Sequence, residues 1–354
     1  MKTDAKILIC FNSPVSIFSV YNGKPVTDIN QGDDLSEKSF IKELNIIKRT
    51  LKKKYAQVET LAVDKNVQKT IDGINSFKPD IIYNFVESVE GITAYEYCMA
   101  GLFELLDIEF TGCKTTSLGN CLDKARTKNI LKSFGINTPD YITLKPNARF
   151  TQKDIDLNFP VILKLLKEDA SIGISEYSVV NNYTELRKHF RFLSETYKQE
   201  IIIEEYVEGR ELNVAVLGKR TLPVSEINFH GLPEKLPRIV TYDGKWIEKS
   251  VYYNHTKPVC PATINERTLK RIKNIAMSAF EALDCRDYAR IDIRLGRRDV
   301  PYVIEVNPNP DISTDSGFTR AALTDGIIHE ELLISIANFA LERKQRNDTQ
   351  VKAG

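Results

Sequence analysis

The sequence is poor in the patterns that bind zinc, anchor a chain in a membrane or attract nucleic acid. Its six cysteines form no CxxC pair and no cluster with the four histidines, so we expect reduced thiols in a cytoplasmic protein without zinc. The 49 Lys and Arg residues nearly balance the 48 Asp and Glu residues, and a net charge of +1 gives no overall attraction to nucleic acid or an anionic membrane. The apolar run before Asn12 is too short for a signal peptide or a membrane span. Any anion-binding site must therefore be local.

What is present indicates a folded α/β protein. A chain of 354 residues is long enough for two or three packed layers, and 42% hydrophobic with 27% charged residues is ordinary for a soluble globular protein. Three apolar runs in the first third predict strands: 7–11, 58–63 and 80–85. The Lys-rich run 39–54 has apolar residues at helical spacing. This alternation of strands and helix predicts an open parallel sheet.

The loop after the third predicted strand, 86–91, lies where such a sheet binds ligands. Parallel sheets bind ligands at the carboxyl ends of their strands, and this loop follows one of those ends. It contains Glu87 and Glu90. These two side chains are either ligands to a substrate cation or solvated loop acids.

The middle of the chain combines a buried lysine with a loop suited to anions. A predicted helix at 123–134 carries Lys124 and ends before Gly135, a usual helix-terminating residue. The elements that follow are a strand at 160–166, a loop at 167–175, a short strand, a helix at 184–197 and a strand at 201–207. Lys164 lies inside an apolar strand, where an unpaired ammonium is costly, so we expect an anionic partner for it. The loop offers backbone N–H groups and a hydroxyl to phosphate oxygens, although many surface loops do so and this one is not a Walker pattern.

The most informative stretch is a predicted hairpin made of 290–295 and 302–308. Both runs alternate with period two, and the link 296–299 is turn-prone. The polar face carries Arg290 and Asp292 from the first strand, with Glu305 and Asn307 from the second. The apolar face carries Ile291, Ile293, Leu295, Ile304 and Val306.

The polar face of this hairpin has the ligands that Mg²⁺ prefers beside nucleotide phosphates. Two carboxylates and a carboxamide supply a few hard oxygens, and water and phosphate complete the octahedron. The alternative is a half-buried hairpin whose outer face carries ordinary solvated charge.

Six segments of the chain follow one another in a recognisable order and spacing. They are 160–164, 171–173, 204–211, 260–262, 290–292 and 305–307. Together they resemble the motifs of the ATP-grasp fold in its D-alanine–D-alanine ligase branch, from about residue 80 to about residue 333, whereas the N-terminal third agrees in pattern only. The resemblance implies an α/β fold with an N-terminal parallel-sheet (preATP-grasp) domain at 1–122. Two α+β subdomains would enclose the nucleotide, at 123–208 and 209–354.

The resemblance also implies a role for each matching residue. The predicted ATP-binding residues are Lys124 and Lys164 on the α- and β-phosphates, Ser171 with the backbone near Gly173 over the phosphate chain, Glu204, Glu205 and Val207 at adenine, and Glu211 on the ribose. The predicted ligands of two Mg²⁺ ions, for which Mn²⁺ could substitute, are Asp292, Glu305 and Asn307, with Glu305 bridging. Arg290 would face the reacting carboxylate and its tetrahedral intermediate. Lys245, in the segment 242–246 that aligns with the family's mobile lid, would reach the γ-phosphate.

The implied activity is an ATP-dependent ligation of a carboxylate to an amine. The γ-phosphoryl group moves to the carboxylate, the amine attacks the acyl phosphate, and ADP and phosphate leave. The lid would exclude water, which would otherwise hydrolyse the acyl phosphate. The family resemblance also implies a possible homodimer.

Two departures from the family pattern concern the substrates. The loop 11–16 has no acid where the family holds the ammonium of the first D-alanine, and Asp311 follows a proline where the family has glycine. An aspartate at that position would repel the carboxylate of a D-amino acid acceptor. We therefore expect a related carboxylate–amine ligase with another substrate pair. The alternatives are a true D-alanine–D-alanine ligase, an ATP-grasp phosphotransferase that forms no amide, and a nucleotide-binding regulatory subunit.

Overall fold

The structure is a computed structural model, and it describes residues 2–12, 20–21, 24–25 and 35–353. The loop 11–16 has no acid at the place where the family holds an ammonium group. Residues 13–16 of this loop lie outside the described residues. Within the described residues, no helix is both long enough and apolar enough to cross a membrane.

A parallel sheet forms the N-terminal part of the molecule. Its strands are β1 (Thr3–Asn12), β4 (Tyr55–Val63) and β5 (Ile81–Phe85), with β1 in the middle and parallel to both neighbours. Two short strands, β2 (Val20–Tyr21) and β3 (Lys24–Pro25), pair with each other. The helices are α1 (Leu35–Lys54), α2 (Val67–Phe77), α3 (Tyr95–Leu105) and α4 (Thr115–Leu122). The parallel sheet predicted from the sequence is confirmed.

An antiparallel sheet of four strands follows. Its elements are α5 (Lys124–Ser133), β6 (Tyr141–Leu144), β7 (Val161–Leu165), β8 (Val179–Val180), α6 (Tyr183–Tyr197) and β9 (Ile201–Glu205). The strand order is β6-β9-β7-β8. Asp123 caps α5 by accepting a hydrogen bond from the backbone of Arg126, and Gly135 follows the helix with a φ of +72°, as the sequence predicts. The helix α6 buries Leu186, Phe190 and Leu193 against the sheet, which is what holds this layer together.

A larger antiparallel sheet completes the fold. Its elements are β10 (Arg210–Leu217), β11 (Arg220–Thr221), β12 (Ser225–Asn228), α7 (Tyr242–Trp246), α8 (Val251–His255), β13 (Lys257–Val259), α9 (Glu266–Ala282), β14 (Tyr288–Leu295), β15 (Pro301–Asn307), α10 (Gly317–Thr324) and α11 (His329–Ala353). The strand order is β13-β12-β10-β14-β15, and β11 pairs with β10. The three main sheets fall within residues 1–122, 123–208 and 209–354. We therefore keep the domain boundaries expected from the sequence as a proposal.

The predicted hairpin is present, but one part of its apolar face was wrong. The strands β14 and β15 pair so that Asp292 lies opposite Glu305 and Arg290 lies opposite Asn307. The register shifts after Asp292, and Val303, rather than Ile304, takes the buried position. A bulge adds one residue to a strand and so reverses the alternation of its side chains beyond that point. The polar face is as predicted, whereas Ile304 lies outside the core.

His189 should make folding stability sensitive to mild acid. It is buried on α6, with Nε2 3.4 Å from Ser178 Oγ, and burial lowers its pKa to about 4. A pKa lowered in the folded state means that stability is complete above about pH 6.5 and is lost as the pH falls toward 4. We expect a loss of about 2 kcal/mol from this group between pH 7 and pH 5. Urea unfolding at pH 7 and pH 5 measures this loss of stability. The variant His189→Gln should lose less stability than the wild type between the two pH values. Equal losses in both proteins would contradict the prediction.

Candidate functional site

A predicted phosphate-binding lysine lies beside a predicted metal ligand. Lys124 is the first residue of α5, and its Nζ lies 2.6 Å from the backbone oxygen of Glu168 and 3.3 Å from Asp169 Oδ1. The same Nζ lies 3.6 Å from Glu305 Oε1. Burial disfavours the charged lysine, but Asp169 and Glu305 outweigh it and raise the pKa of Lys124. The start of α5, the loop after β7 and the strand β15 therefore meet in one cleft.

The second predicted lysine has the anionic partner that its buried position required. Lys164 Nζ donates to Glu204 Oε2 at 3.1 Å. The other oxygen of Glu204 lies 3.4 Å from Nζ of Lys128, which also donates to Thr138 Oγ1 at 3.0 Å. The side chains of Glu204 and Lys128 are each only 1% exposed. Although burial alone would raise the pKa of Glu204, Lys128 and Lys164 lower it, so this carboxylate is ionised and fixed between two lysines.

The three predicted metal ligands lie side by side on the hairpin. Asp292 accepts two hydrogen bonds from Arg290, at 2.8 and 2.9 Å, and a third from Asn213 Nδ2 at 2.6 Å. Glu305, although partly buried, is held ionised because nearby lysines, Lys124 first, lower its pKa to about 2. Asn307 Oδ1 accepts a hydrogen bond from the backbone N–H of Asn309 at 3.0 Å.

The donor set on this hairpin suits Mg²⁺ bound together with phosphate. Lone pairs remain on one oxygen of Asp292, on both oxygens of Glu305 and on Oδ1 of Asn307, because each carboxylate or carbonyl oxygen can accept two bonds. In the part of the chain that the structure describes, no group of three or more His, Cys, Asp or Glu side chains is placed to hold a metal ion. The remaining lone pairs on the hairpin are a few hard oxygens, and proteins commonly bind Mg²⁺ in this way when phosphate oxygens and water complete its shell.

The predicted lid and the phosphate loop contact each other. The helix α7 packs on the loop through Trp246 Nε1, which donates to the backbone oxygen of Ala170 at 3.4 Å. Lys245 lies on the same short helix, where burial and, to a smaller extent, the charge of Arg290 lower the pKa of its ammonium. Ser171 has a φ of +61°, and its backbone oxygen accepts from Ile174 N at 3.0 Å. The contact of Trp246 with Ala170 therefore links the helix that carries Lys245 to the loop that carries Ser171.

Two of the residues predicted for adenine and ribose, Val207 and Glu211, contact a buried arginine. Arg294 donates to Val207 O at 2.9 Å and to Glu211 Oε2 at 2.8 Å, and its guanidinium lies 4.8 Å from the centre of the Tyr206 ring. Burial raises the pKa of Glu211, and Arg294 opposes the rise. Glu205 ends β9 and accepts hydrogen bonds from Asn158. These contacts locate Glu205, Val207 and Glu211, and the contacts of all three and of Glu204 with a nucleotide stay predictions.

The three acids whose roles the sequence left open lie in different surroundings. Glu90 forms an exposed ion pair with Lys65. The backbone N–H of Glu87 donates to Asn12 Oδ1 at 3.0 Å, so the loop after β5 is tied to the end of β1. Asp311 accepts hydrogen bonds from Ser313 N at 2.8 Å and Ser313 Oγ at 2.9 Å. Asp311 follows the end of β15 at Asn307 by four residues.

Sequence reasoning missed several polar residues that support the site. They are Glu96, Lys128, Asn213, Arg294 and Asn309. Lys128 had a signal, because it lies one helical turn after Lys124 and therefore on the same face. Arg294 had one too, since it continues the alternation of Arg290 and Asp292. Glu96 had none, because its partner lies 213 residues away in the sequence.

Comparisons with known proteins agree with this geometry. A family model described as the C-terminus of D-ala D-ala ligase matches residues 130–338. A D-alanine–D-alanine ligase from Carboxydothermus hydrogenoformans is 31% identical over 308 residues, covering 84% of this chain and 92% of that protein. The uncharacterized protein y4sG of Sinorhizobium fredii is 30% identical over 263 residues, covering 74% of this chain and 75% of that protein.

Solved structures show the same fold. The D-alanine–D-alanine ligase from Bacillus anthracis, in a crystal structure with ATP, superposes with a TM-score of 0.73 at 22% identity, covering 97% of this chain and all of that chain. This likeness confirms the ATP-grasp fold, with its parallel sheet and antiparallel sheets, predicted from the sequence. The family model matches more than half of the chain, and the chain therefore belongs to the D-alanine–D-alanine ligase family, whose members are ATP-dependent ligases that form C–N bonds.

Proposed function

We propose that this protein joins a carboxylate to an amine through an acyl phosphate, releasing ADP and phosphate, and that its substrate pair differs from two D-alanines. The observation that carries the proposal is the contact between Lys124 and Glu305, 3.6 Å apart. It brings the lysine proposed for phosphate next to the carboxylate proposed for metal. Phosphoryl transfer depends chiefly on such positioned charges.

The residues of the cleft would divide the work as follows. Lys124 and Lys164 hold the phosphate chain, and Ser171 closes over it from the loop after β7. Asp292, Glu305 and Asn307 would hold two Mg²⁺ ions, or Mn²⁺ in their place, and these ions would neutralise charge on the transferring phosphoryl group. Lys245 would reach the γ-phosphate when α7 closes, and the closed lid would keep water from the acyl phosphate.

Arg290 would stabilise the oxyanion of the second step. When an amine attacks the acyl carbon, the carbonyl oxygen gains negative charge before phosphate leaves. Arg290 stays charged because Asp292 and Glu305 raise its pKa against the effect of burial. Its paired hydrogen bonds to Asp292 fix the guanidinium on the hairpin, so little reorganisation is needed when the charge develops.

The decisive experiment measures ADP and inorganic phosphate release with a panel of carboxylates, each with and without a panel of amines. A ligase releases phosphate in an amine-dependent way and yields an amide that mass spectrometry detects. An ADP-forming reaction that leaves a stable phosphorylated product would instead indicate a phosphotransferase. Nucleotide binding without turnover across a broad panel would indicate a regulatory subunit.

Lys164→Ala should weaken ATP binding by about 10- to 100-fold, because a charge-assisted contact to phosphate contributes about 1.5 to 3 kcal/mol. Glu204 keeps Lys128 as a partner in this variant, so the strand should stay in place. Calorimetry with a non-hydrolysable ATP analogue gives the dissociation constant. Lys188→Ala, on the outer face of α6, is the control and should bind normally; unchanged affinity in Lys164→Ala would make Lys164 a purely structural lysine.

Asp311 is the residue we propose to exclude D-alanine as acceptor. Its carboxylate is fixed by two hydrogen bonds from Ser313, four residues beyond the end of β15, so an incoming carboxylate would meet a fixed negative charge there. Asp311→Gly should raise kcat/KM for D-alanine as acceptor relative to the wild type, with Asp315→Asn as the neighbouring control. Rapid D-alanyl-D-alanine formation by the wild-type enzyme would refute the exclusion and favour a true D-alanine–D-alanine ligase.

Two further proposals concern assembly and location. The family resemblance supports a homodimer. Light scattering of the purified protein tests this proposal.

The six free cysteines support a reducing, cytoplasmic location. Fractionation of cells that express the protein tests this location.

A further inference from the structure

Asn309 joins three separate parts of the chain beside the proposed metal ligands. Its Nδ2 donates to Glu96 Oε1 at 3.1 Å, and its Oδ1 accepts from the hydroxyl of Tyr288 at 2.8 Å. Its backbone N–H donates to Oδ1 of Asn307 at 3.0 Å. The side-chain amide is therefore anchored at both ends while the backbone holds the carboxamide of Asn307.

The anchors of Asn309 are themselves fixed. Tyr288 is the first residue of β14 and is fully buried, and Glu96 lies in the first turn of α3 and is 8% exposed. A buried polar group depends on its hydrogen bonds, since an unpaired one costs about 1 to 3 kcal/mol. Among the described residues, no lysine or arginine forms an ion pair with Glu96, and Asn309 is its hydrogen-bond partner. The contact thus ties the region of the parallel sheet to the end of the catalytic hairpin.

The hydrogen bond to Asn307 decides which end of its carboxamide faces a cation. The amide has an oxygen that can bind Mg²⁺ and an NH₂ that cannot. Because the N–H of Asn309 takes one lone pair of Oδ1, the oxygen is held in a defined direction with its second lone pair available. If the turn at 307–309 loosens, the carboxamide can rotate and present NH₂ instead.

Building on the proposed role of Asn307 as a metal ligand, we propose that Glu96 and Asn309 are positioning residues for the metal site. They act through the turn at 307–309 and touch neither metal nor nucleotide. Residues that hydrogen-bond to a metal ligand commonly change metal affinity, because they fix the orientation of that ligand. The helix α3, outside the nucleotide-binding sheets, thereby sets the geometry of the catalytic hairpin.

The test is the affinity for Mn²⁺ in the presence of ADP, measured by electron paramagnetic resonance. Glu96→Leu and Asn309→Ala should each weaken Mn²⁺ binding by about 3- to 10-fold, the range that one hydrogen bond supports. Combining them should weaken it no further than Asn309→Ala alone, because that variant already removes the contact with Glu96. Glu96→Gln keeps a carbonyl acceptor for Asn309 and should stay within about twofold of the wild type. Affinity for ADP without metal should not change in any of these variants.

Two controls separate the possible failures. Glu104→Leu, on the same helix, removes a hydrogen bond to Thr115 N and should leave Mn²⁺ affinity unchanged. If Glu96→Leu and Asn309→Ala lower the melting temperature but leave Mn²⁺ affinity at the wild-type value, the contact is only a structural tie and the inference is wrong. Asn307→Ala tests the underlying assignment: normal Mn²⁺ binding in that variant would show that the proposed metal ligand itself is wrong.

Discussion

Replacing Glu305 with glutamine is expected to lower kcat by at least about a hundredfold while the protein remains folded. The carboxylate is held ionised at all ordinary pH values, because nearby lysines lower its pKa to about 2. A neutral amide cannot balance two divalent ions. The fold should survive, because Lys124 keeps Asp169 and the backbone oxygen of Glu168 as partners.

The measurement is phosphate release at saturating Mg²⁺, with the carboxylate and amine that give the highest wild-type rate. Glu226→Gln is the matched control, since Glu226 lies on β12 of the same sheet, separated from β15 by β10 and β14, and pairs with Arg210. It should keep most of its turnover. Near-wild-type kcat for Glu305→Gln would remove Glu305 from the proposed metal site.

Lys128→Met should lower the free energy of unfolding by about 1.5 to 3 kcal/mol, because Glu204 loses one of its two buried lysine partners and keeps only Lys164. Both Lys128 and Glu204 are about 1% exposed, so solvent cannot compensate for the lost charge. Burial lowers the pKa of Lys128 to about 8, so the lysine is still mainly charged at pH 7, where urea unfolding should be measured.

Two further variants test whether the loss comes from the buried charge. Lys132→Met, on the exposed side of the same helix, breaks an ion pair with Asp140 and should cost less than about 1 kcal/mol. Lys128→Met combined with Glu204→Gln should recover part of the stability, since the buried carboxylate that has lost one of its two lysines is replaced by a neutral amide. Equal losses for Lys128→Met and Lys132→Met would contradict the account.

Local patterns were enough to predict most of the fold. The strands β1, β4 and β5 are predicted by apolar runs in the sequence. The hairpin of β14 and β15 is predicted by its alternation of polar and apolar residues. The bulge that removes Ile304 from the core could not be predicted this way, because an extra residue in one strand follows from its fit to neighbouring elements. Periodicity identifies the strands but does not determine their register.

In the candidate site, too, some residues could be predicted from local patterns and others could not. The charges on the hairpin and Lys164 inside an apolar strand stand out in the sequence, because charged residues at such positions need a reason. The partners that hold them do not stand out. Glu204 was predicted for adenine, whereas its carboxylate contacts Lys164 and Lys128, and the contact of Glu96 with Asn309 joins distant parts of the chain. Long-range pairs of this kind require the folded structure.

The most direct test of the central proposal follows oxygen from the carboxylate. The carboxylate that gives the highest amine-dependent turnover is labelled with ¹⁸O in both oxygens, and the inorganic phosphate released with ATP and the amine is analysed by mass spectrometry. If an acyl phosphate forms, one carboxylate oxygen becomes the bridge to phosphorus and leaves with phosphate when the amine attacks the acyl carbon. The account predicts one ¹⁸O atom in each phosphate released. Phosphate without label, formed together with an amide, would contradict it.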